Sequence, residues 1–276
     1  MKIFLQGRAA LLRGLDFWRR GSAALPLITA ILFFALGTMA QTTNSLSDAE
    51  IQGRQLAQQL CDARPAENST NTGVLQIRDA KGKRQEFPLT CNIFVTATNW
   101  INRYEAIVGS NKLSTALIVG HDVVQPNRYE FYENQKQTRL THGVILKIGM
   151  ILSGDRIMLP FANSDFWVAD LGLEFFHWPG QKILRGDTAR GRLCKVLEGT
   201  NPDPSPNGYS RVLCWIDNET LGIVEAKAYD AQNKLLKEFY PKDFKKVDGQ
   251  WQVGSMEIDN VQTGSRTRIE FDLKAK

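Results

Sequence analysis

The sequence predicts a mainly β (α+β) fold, an unclosed antiparallel half-barrel of about 11 strands covered by a few helices. In most segments beyond residue 70, hydrophobicity alternates with a period of two, as in half-buried strands. Short turns rich in Gly, Pro and Asn separate these segments, without the helical crossovers that a parallel sheet requires. Strand twist curls such a sheet, and the chain offers little helix to cover its apolar face.

The first 40 residues have the three parts of a secretory signal peptide. Residues 1–20 hold five Lys or Arg, residues 21–39 are uncharged, and Thr38 and Ala40 have the spacing that a signal peptidase recognises. We therefore predict cleavage after Ala40 and a single mature domain over residues 41–276. Two alternatives stay open: an uncleaved membrane anchor, since the run is near the lower limit for spanning, and a twin-arginine signal.

Removal of residues 1–40 changes the charge of the chain. This segment holds five Lys or Arg and one acid, Asp16, so the formal charge falls from +5 to +1. A nearly neutral mature chain lacks the basic surface of a nucleic-acid-binding protein, and we expect no nucleic-acid partner. The mature chain is long enough for one core together with a ligand cavity.

Four cysteines remain in the mature chain, an even number that suggests disulfides in an exported protein. Cys194 and Cys214 flank a Pro/Asn/Gly-rich turn, and we favour a disulfide between them, with Cys61 and Cys91 left over. The alternative is that all four are reduced and buried. Neither Cys-x-x-Cys nor a histidine at ligand spacing occurs, so we expect no metal site.

A helix is predicted over residues 47–62. Ser47 and Glu50 have the spacing of a capping box, and Pro65 ends the helix. Its apolar face is formed by Ile51, Leu56, Ala57 and Leu60.

The pattern then changes to strands. Residues 85–99, QEFPLTCNIFVTATN, place one face in the core: Phe87, Leu89, Cys91, Ile93, Val95 and Ala97. A strand precedes this segment in GVLQIRDAKGKR, and others follow in WINRYEAIV, LSTALIVG and RYEFYEN, where Tyr129 and Phe131 share a face. Further strands are predicted near 182–187, 191–198, 209–217, 222–230, 234–246, 250–259 and 265–273. Asp248-Gly249 is a strong hairpin signal.

Four stretches of the sequence resemble a known family. Residues 60–89, 161–179, 211–251 and 261–273 resemble outer-membrane lipoprotein-sorting proteins, and more narrowly the uncharacterised treponemal-type branch of the LolA-like superfamily. The most specific parts are the segment near 164–175 and NVQTGSRTRI. Asn163 replaces the first Gly of the family's Gly-Ser-Asp-Phe, and Val168-Ala169-Asp170 replaces Tyr-Glu-Asp. The resemblance implies an open barrel whose hollow takes acyl chains, in a periplasmic protein. The N-terminal run leaves anchoring in the inner membrane as the alternative location.

An aromatic-rich stretch, FANSDFWVADLGLEFFHWPG, occupies residues 161–180. We predict that Ser164 caps a short helix running through Asp170, and that the stretch forms a movable lid or the wall of a lipid-binding cavity. The candidate residues are Phe161, Phe166, Trp167, Leu171, Phe175, Phe176 and Trp178, with Trp100, Tyr104 and Phe131 from the strands. The alternative is an ordinary core.

Catalytic motifs are not found in the sequence. His121, His142 and His177 lie in unrelated contexts, and G-x-S-x-G, H-E-x-x-H and phosphate-loop patterns do not occur. We therefore expect no enzyme activity and no cofactor.

The predicted function is binding and transport of lipid. The ligands would be acyl chains of lipoproteins or phospholipids, passed between membrane-bound donor and acceptor proteins. Removing each CH₂ from water contributes about 0.8 kcal/mol of free energy. A protein that holds a 16-carbon chain must therefore supply roughly 10 kcal/mol by burying it, which requires an enclosed hollow. The alternative is an envelope sensor or structural interaction module, with the hollow filled by its own side chains.

Overall fold

The computed structural model describes residues 46–109, 113–122, 125–136, 149–247 and 250–273. The predicted signal peptide, His142 and the Asp248-Gly249 turn lie outside these ranges. From Ser47 onward, the described residues belong to one unit. Its secondary structure is mostly β, which confirms the predicted fold class.

Thirteen strands are described, where about 11 were predicted, and every hydrogen-bonded pair is antiparallel. Two α-helices accompany them, α1 (Asp48–Cys61) and α2 (Val168–Leu171). In chain order the strands are β1 (Ser69–Arg78), β2 (Arg84–Val95), β3 (Asn99–Val108), β4 (Leu113–Asp122), β5 (Arg128–Lys136), β6 (Met150–Leu152), β7 (Gly180–Ala189), β8 (Arg192–Thr200), β9 (Tyr209–Asp217), β10 (Ile223–Asp230), β11 (Leu235–Val247), β12 (Gln250–Asn260) and β13 (Arg266–Phe271).

One sheet is built from two meanders. Strands β1 to β6 run outward from the centre to one edge, and β7 to β13 run from the other edge back to the centre. There β13 pairs with β1, with Gly73 opposite Phe271 and Arg78 opposite Arg266. Among the described strands β6 and β7 do not pair with each other. The sheet is therefore unclosed, as the sequence predicts.

Residues 153–179, here named the crossing segment, connect the two edge strands β6 and β7. The segment therefore has to pass over one face of the sheet. Phe161 and Phe166 pack with residues of β1 to β5, β12 and β13, whereas Phe175 and Phe176 pack with residues of β8 to β10. One short segment therefore packs against both meanders.

The alternating strands are buried on the predicted face. In β2, Leu89, Cys91 and Ile93 are buried, and Phe94, on the opposite face of the strand, is exposed. Tyr129 and Phe131 are both buried in the same cluster, as predicted. Ala97 is an exception, because β2 ends at Val95 and Ala97 is exposed.

Helix α1 covers the edge strand β7. The predicted capping box is present: the Ser47 amide donates to the Glu50 carboxylate at 2.8 Å, and Ser47 Oγ accepts from the Glu50 amide. Gly53 lies so close to β7 that a Cβ atom there would be 2.5 Å from the backbone nitrogen of Lys182. The prediction for Ile51 is wrong: it is 41% exposed, and Gly53 takes its place on the buried face.

The predicted disulfide between Cys194 and Cys214 is wrong, and all four cysteines are free. Cys194 pairs across the strands with Asp217, and Cys214 pairs with Leu197, so the two cysteines are three residues out of register. They also belong to different clusters: Cys214 packs with Leu197 and Ile216, whereas Cys194 packs with Val196 and Trp215. The turn joins the strands as predicted, but its length sets a register that separates the thiols.

Candidate functional site

The crossing segment folds into short turns. Helix α2 is flanked by two 3-10 turns, Phe161–Asn163 and Glu174–Phe176. The prediction that Ser164 caps a helix is wrong, because its hydroxyl accepts the Phe166 amide at 3.2 Å and α2 begins after Trp167. The Asp170 carboxylate accepts the Trp167 amide at 2.8 Å instead. Asp170 thus satisfies one of the amides that a helix start leaves without a backbone partner.

An apolar pocket lies between the crossing segment and strands β9 to β12. The segment contributes Phe166, Asp170, Leu171, Leu173 and Phe175. Gly222, just before β10, also lines the pocket. Strands β3 and β9 to β12 contribute Tyr104, Tyr209, Val212, Ile223, Ala226, Ala228, Lys237, Phe239, Pro241, Phe244, Val253, Met256 and Ile258. The cavity volume is about 70 Å³, and the empty space is about 850 Å³ when the open solvent at the mouth is included.

A buried ion pair lies in the wall of this pocket. Lys237 of β11 is only 2% exposed, and its Nζ lies 3.4 Å from Asp170 Oδ2. The same Nζ donates to the carbonyl of Asp165 at 2.7 Å. A buried charge is tolerated only when it is paired and hydrogen-bonded, and both conditions hold here.

Two aromatic rings complete the surroundings of Lys237. Its Nζ lies 3.5 Å from the centroid of the Trp167 ring, and Trp167 stacks on Tyr209 with centroids 4.6 Å apart. The Tyr209 hydroxyl donates to Asp170 Oδ1 at 2.9 Å. An ammonium group over an aromatic face gains cation–π stabilisation, which is larger when water is excluded. The lysine thus holds the crossing segment against β9 and β11.

Asp165 provides a second attachment of the crossing segment, on β13. Its carboxylate accepts hydrogen bonds from Ser265 Oγ at 2.6 Å and Thr267 Oγ1 at 2.8 Å. The Asp165 amide donates to Thr267 Oγ1 at 2.9 Å. These bonds tie the segment to the strand at the centre of the sheet, next to the Lys237 contact.

Burial governs the protonation of these groups. It lowers the pKa of Lys237 to about 8, although the nearby Asp170 carboxylate acts in the opposite direction. Burial and the same carboxylate raise the pKa of Tyr209 well above its usual value. Lys237 therefore carries its charge at neutral pH, and Tyr209 stays neutral and donates to Asp170.

A second pocket lies on the other side of residues 171–173, which line both pockets in part. Its cavity volume is about 60 Å³. The lining residues are Leu60, Cys61, Ala63, Pro65, Ile93, Trp100, Asn102, His121, Leu171, Gly172, Leu173, Phe176 and His177. This pocket is more polar than the first and lies next to the end of α1.

The polar groups of the second pocket are neutral. Cys61 Sγ lies 3.6 Å from His177 Nε2, but burial raises the pKa of the Cys61 thiol to about 12. Burial also lowers the pKa of His121 to about 4, and His121 stacks on Trp100 with ring centroids 4.8 Å apart. A nucleophilic cysteine has a lowered thiol pKa, whereas burial shifts the pKa of Cys61 in the opposite direction.

The structure distributes the predicted cavity residues over three environments. Four line the apolar pocket: Tyr104, Phe166, Leu171 and Phe175. Trp100 and Phe176 line the second pocket, which Leu171 also borders. The other four pack in the core without lining either pocket: Phe131, Phe161, Trp167 and Trp178.

Sequence reasoning missed Lys237 and most of the pocket wall from β9 to β12. Lys237 lies in LLKEFY, where a lysine in an alternating strand is typical of a solvent-facing position. The sequence did indicate Asp170, because this residue keeps the acidic position of the family's Tyr-Glu-Asp pattern. An acidic residue in an apolar segment needs a cationic partner, and this requirement could have directed attention to the lysines of the strands.

The described residues hold no cluster of His, Cys, Asp and Glu able to bind a metal ion. Within the same part of the chain, helices that could cross a bilayer are not found either, since each is too short or too polar.

Comparisons with known proteins bear on the fold. A family model described only as an uncharacterized protein matches residues 150–274. No curated protein matches the chain at a significant level. A solved DUF1329 family protein from Desulfovibrio piger is 20% identical with a TM-score of 0.60, and the match covers 83% of this chain and 96% of that one.

Two further solved structures are similar over most of the chain. One, from Vibrio parahaemolyticus, is described as an outer membrane lipoprotein-sorting protein domain; it is 20% identical with a TM-score of 0.62, covering 81% of this chain and 92% of that one. The other, a LolA superfamily protein from Nitrosomonas europaea, is 13% identical with a TM-score of 0.56, covering 83% and 94%. The predicted resemblance is confirmed at the level of the fold: the chain has a LolA-like fold.

Proposed function

We propose that the chain is an exported binding protein of the cell envelope that encloses acyl chains in the apolar pocket. The observation that supports this most is the position of the pocket, beneath the aromatic crossing segment and against β9 to β12. Its lining is apolar apart from two tyrosines and the Lys237–Asp170 pair. Concave apolar sites with a few placed polar groups are the usual form of sites for small ligands.

The pocket has to widen before it takes a chain. Its cavity volume of about 70 Å³ is about half of the roughly 150 Å³ that accommodates benzene in an apolar cavity. Burial of a 16-carbon chain provides roughly 10 kcal/mol of favourable free energy, which can offset the cost of displacing the crossing segment. Side-chain contacts of Asp165, Asp170 and Lys237 hold that segment on the sheet, and we propose that it moves as a lid.

The proposed ligands and location draw on the comparisons and on the N-terminus. One structural relative is described as a lipoprotein-sorting domain of the outer membrane. Residues 1–40 have the pattern of a signal peptide. We therefore propose a periplasmic protein, cleaved after Ala40, that binds acyl chains of lipoproteins or phospholipids and exchanges them with membrane-bound donor and acceptor proteins.

Native mass spectrometry tests this proposal directly. The protein is purified from the periplasm without harsh detergent, and bound lipid is identified after extraction. We expect a population that carries lipid, and uptake of a fluorescent fatty acid by the delipidated protein. A protein that is free of lipid and takes up no fatty acid would contradict the proposal.

A variant that fills the pocket assigns the uptake to this site. Ala226 lines the pocket on β10, and Ala226→Phe adds a ring where the chain would lie. We expect at least tenfold weaker fatty-acid binding. Leu193→Phe, at a position that is 70% exposed on β8, is the matched control and should bind like the wild type. Equal binding by both variants would place the ligand elsewhere.

The small cavity favours a second candidate, an interaction module of the same fold. In that case the side chains of the crossing segment fill the hollow permanently, and the protein acts through its surface. The fatty-acid measurement separates the two candidates, since an interaction module takes up no chain with or without Ala226→Phe.

A further inference from the structure

The hairpin of β11 and β12 extends beyond the strands on either side of it. Strand β11 pairs with β10 only as far as Phe239, and β12 pairs with β13 only as far as Ser255. Residues 244–247 and 250–253, here named the arm, pair with each other and with no other described strand. A two-stranded hairpin by itself is marginally stable in water. Val247 and Val253 of the arm are buried, whereas Phe244 and Trp251 are exposed.

One face of the arm carries two exposed aromatic residues and continues the wall of the pocket. Phe244 pairs directly with Val253 and Lys246 with Trp251, and alternate residues of a strand share a face. Phe244 and Val253 both line the apolar pocket. Phe244 is 46% exposed, so it stands at the mouth of the pocket, and Trp251, 51% exposed, lies next to it on the same face.

Two lysines belong to the arm: Lys246 lies on the face of the aromatic residues, and Lys245 lies on the opposite face. Lys245 and Lys246 are exposed; Lys245 Nζ lies 4.0 Å from Asp243, and Lys246 makes no ion pair with the described residues. Just before the arm, the Lys242 ammonium contacts Glu257 at 3.1 Å. Exposed Trp and Phe beside Lys are typical of segments that lie at a bilayer surface, where the rings enter the headgroup region and the ammonium groups meet lipid phosphates.

We propose that the arm docks on an anionic lipid bilayer and so directs the mouth of the pocket toward the membrane. Phe244 and Trp251 enter the headgroup region, while Lys246 on the same face contacts the phosphates. The inference rests on the proposed function and adds to it a partner and an orientation. An acyl chain then passes from the bilayer along Phe244 into the pocket without crossing water.

Vesicle binding tests the docking. Purified protein is mixed with vesicles of phosphatidylcholine alone or of phosphatidylcholine with phosphatidylglycerol, and bound protein is measured by flotation. We expect binding to the anionic vesicles that weakens at high salt. Trp251→Ala should weaken binding roughly tenfold, and Lys246→Gln about fivefold. The doubly substituted control, Leu193→Ala with Lys195→Gln, removes an exposed apolar residue and a lysine from β8 and should bind like the wild type.

A spectroscopic readout places Trp251 in the membrane. Lipids brominated near the headgroup should quench the wild-type tryptophan fluorescence, and Trp251→Phe should lose most of that quenching. Failure of the wild type to bind anionic vesicles, or equal weakening in the arm variants and the β8 control, would overturn the docking.

The docking and the proposed function fail separately. Trp251 does not line the pocket, so Trp251→Ala should still take up a dissolved fluorescent fatty acid. Loss of vesicle binding with normal uptake supports the docking. Vesicle binding through the arm by a protein that takes up no fatty acid would keep the docking and remove the carrier function.

Discussion

The ion pair of Lys237 and Asp170 is the most consequential pair of residues in the site. The lysine is 2% exposed and contacts the crossing segment through Asp170, the Asp165 carbonyl and the Trp167 ring. A pair of this kind adds little stability compared with apolar residues of similar size, but the loss of one partner leaves a buried charge uncompensated. The pair therefore specifies where the crossing segment lies.

Substitution of one partner should be costly. Asp170→Asn leaves the Lys237 charge without a counter-ion and weakens the cap on Trp167, so we expect a loss of about 3–5 kcal/mol in the free energy of unfolding. Lys237→Met leaves the Asp170 carboxylate without a counter-ion, but that carboxylate is less buried and keeps its hydrogen bonds from Trp167 and Tyr209, so this variant should cost less. Urea unfolding of both variants and of the double variant measures this. A cost for Asp170→Asn no larger than that for Lys237→Met would contradict the role of the pair.

The pH dependence of stability also reports on Lys237. Its pKa is about 8 in the folded protein, so above pH 8 the unfolded chain binds the proton that the folded protein has released. Stability due to this residue therefore rises with pH. Relative to Lys237→Met, wild-type unfolding free energy should increase by roughly 2 kcal/mol between about pH 7.5 and pH 9.5. Parallel pH profiles would show that Lys237 is not buried as described.

At the scale of elements, α1 depends on the close approach of Gly53 to β7. A Cβ atom at this position would lie 2.5 Å from the backbone nitrogen of Lys182, so the helix would have to move away from the edge strand. Glycine is otherwise unfavourable inside a helix by about 1 kcal/mol compared with alanine. Its presence here is explained by packing.

Alanine at residue 53 should reverse the usual helix preference. We expect Gly53→Ala to destabilise the protein by about 1–3 kcal/mol, as over-packing does, in thermal or urea unfolding. Gln55→Ala, at an exposed position of the same helix, is the control and should be neutral or slightly stabilising. A stabilised Gly53→Ala protein would mean that α1 does not rest on β7.

The strands were predictable where one face alone is buried. In β2 the period of two appears directly in the sequence, and β9 has the predicted bounds of residues 209–217. Strand β6 has only three residues and was missed, because so short a segment shows no period. Lys237 was missed for the opposite reason: its burial depends on Asp170 of a distant segment, and an alternating pattern assigns any lysine to the solvent.

For the whole molecule, the main feature is one sheet made from two meanders joined by the crossing segment. Adjacent strands pair with their sequence neighbours, which a series of short turns predicts. The pairing of β1 with β13 joins residues nearly two hundred positions apart, and no local pattern indicates it. Aromatic composition alone identified residues 161–180 as a unit, whereas their position across the open face follows from the strand order.

The central claim is that the pocket beneath the crossing segment receives an acyl chain. A crystal structure of the protein saturated with palmitate tests it most directly. We expect density for the chain between the crossing segment and β9 to β12, beside Ala226 and Phe175, with the segment displaced from its position in the closed form. A chain bound elsewhere, or a pocket unchanged and empty at saturating palmitate, would contradict the account.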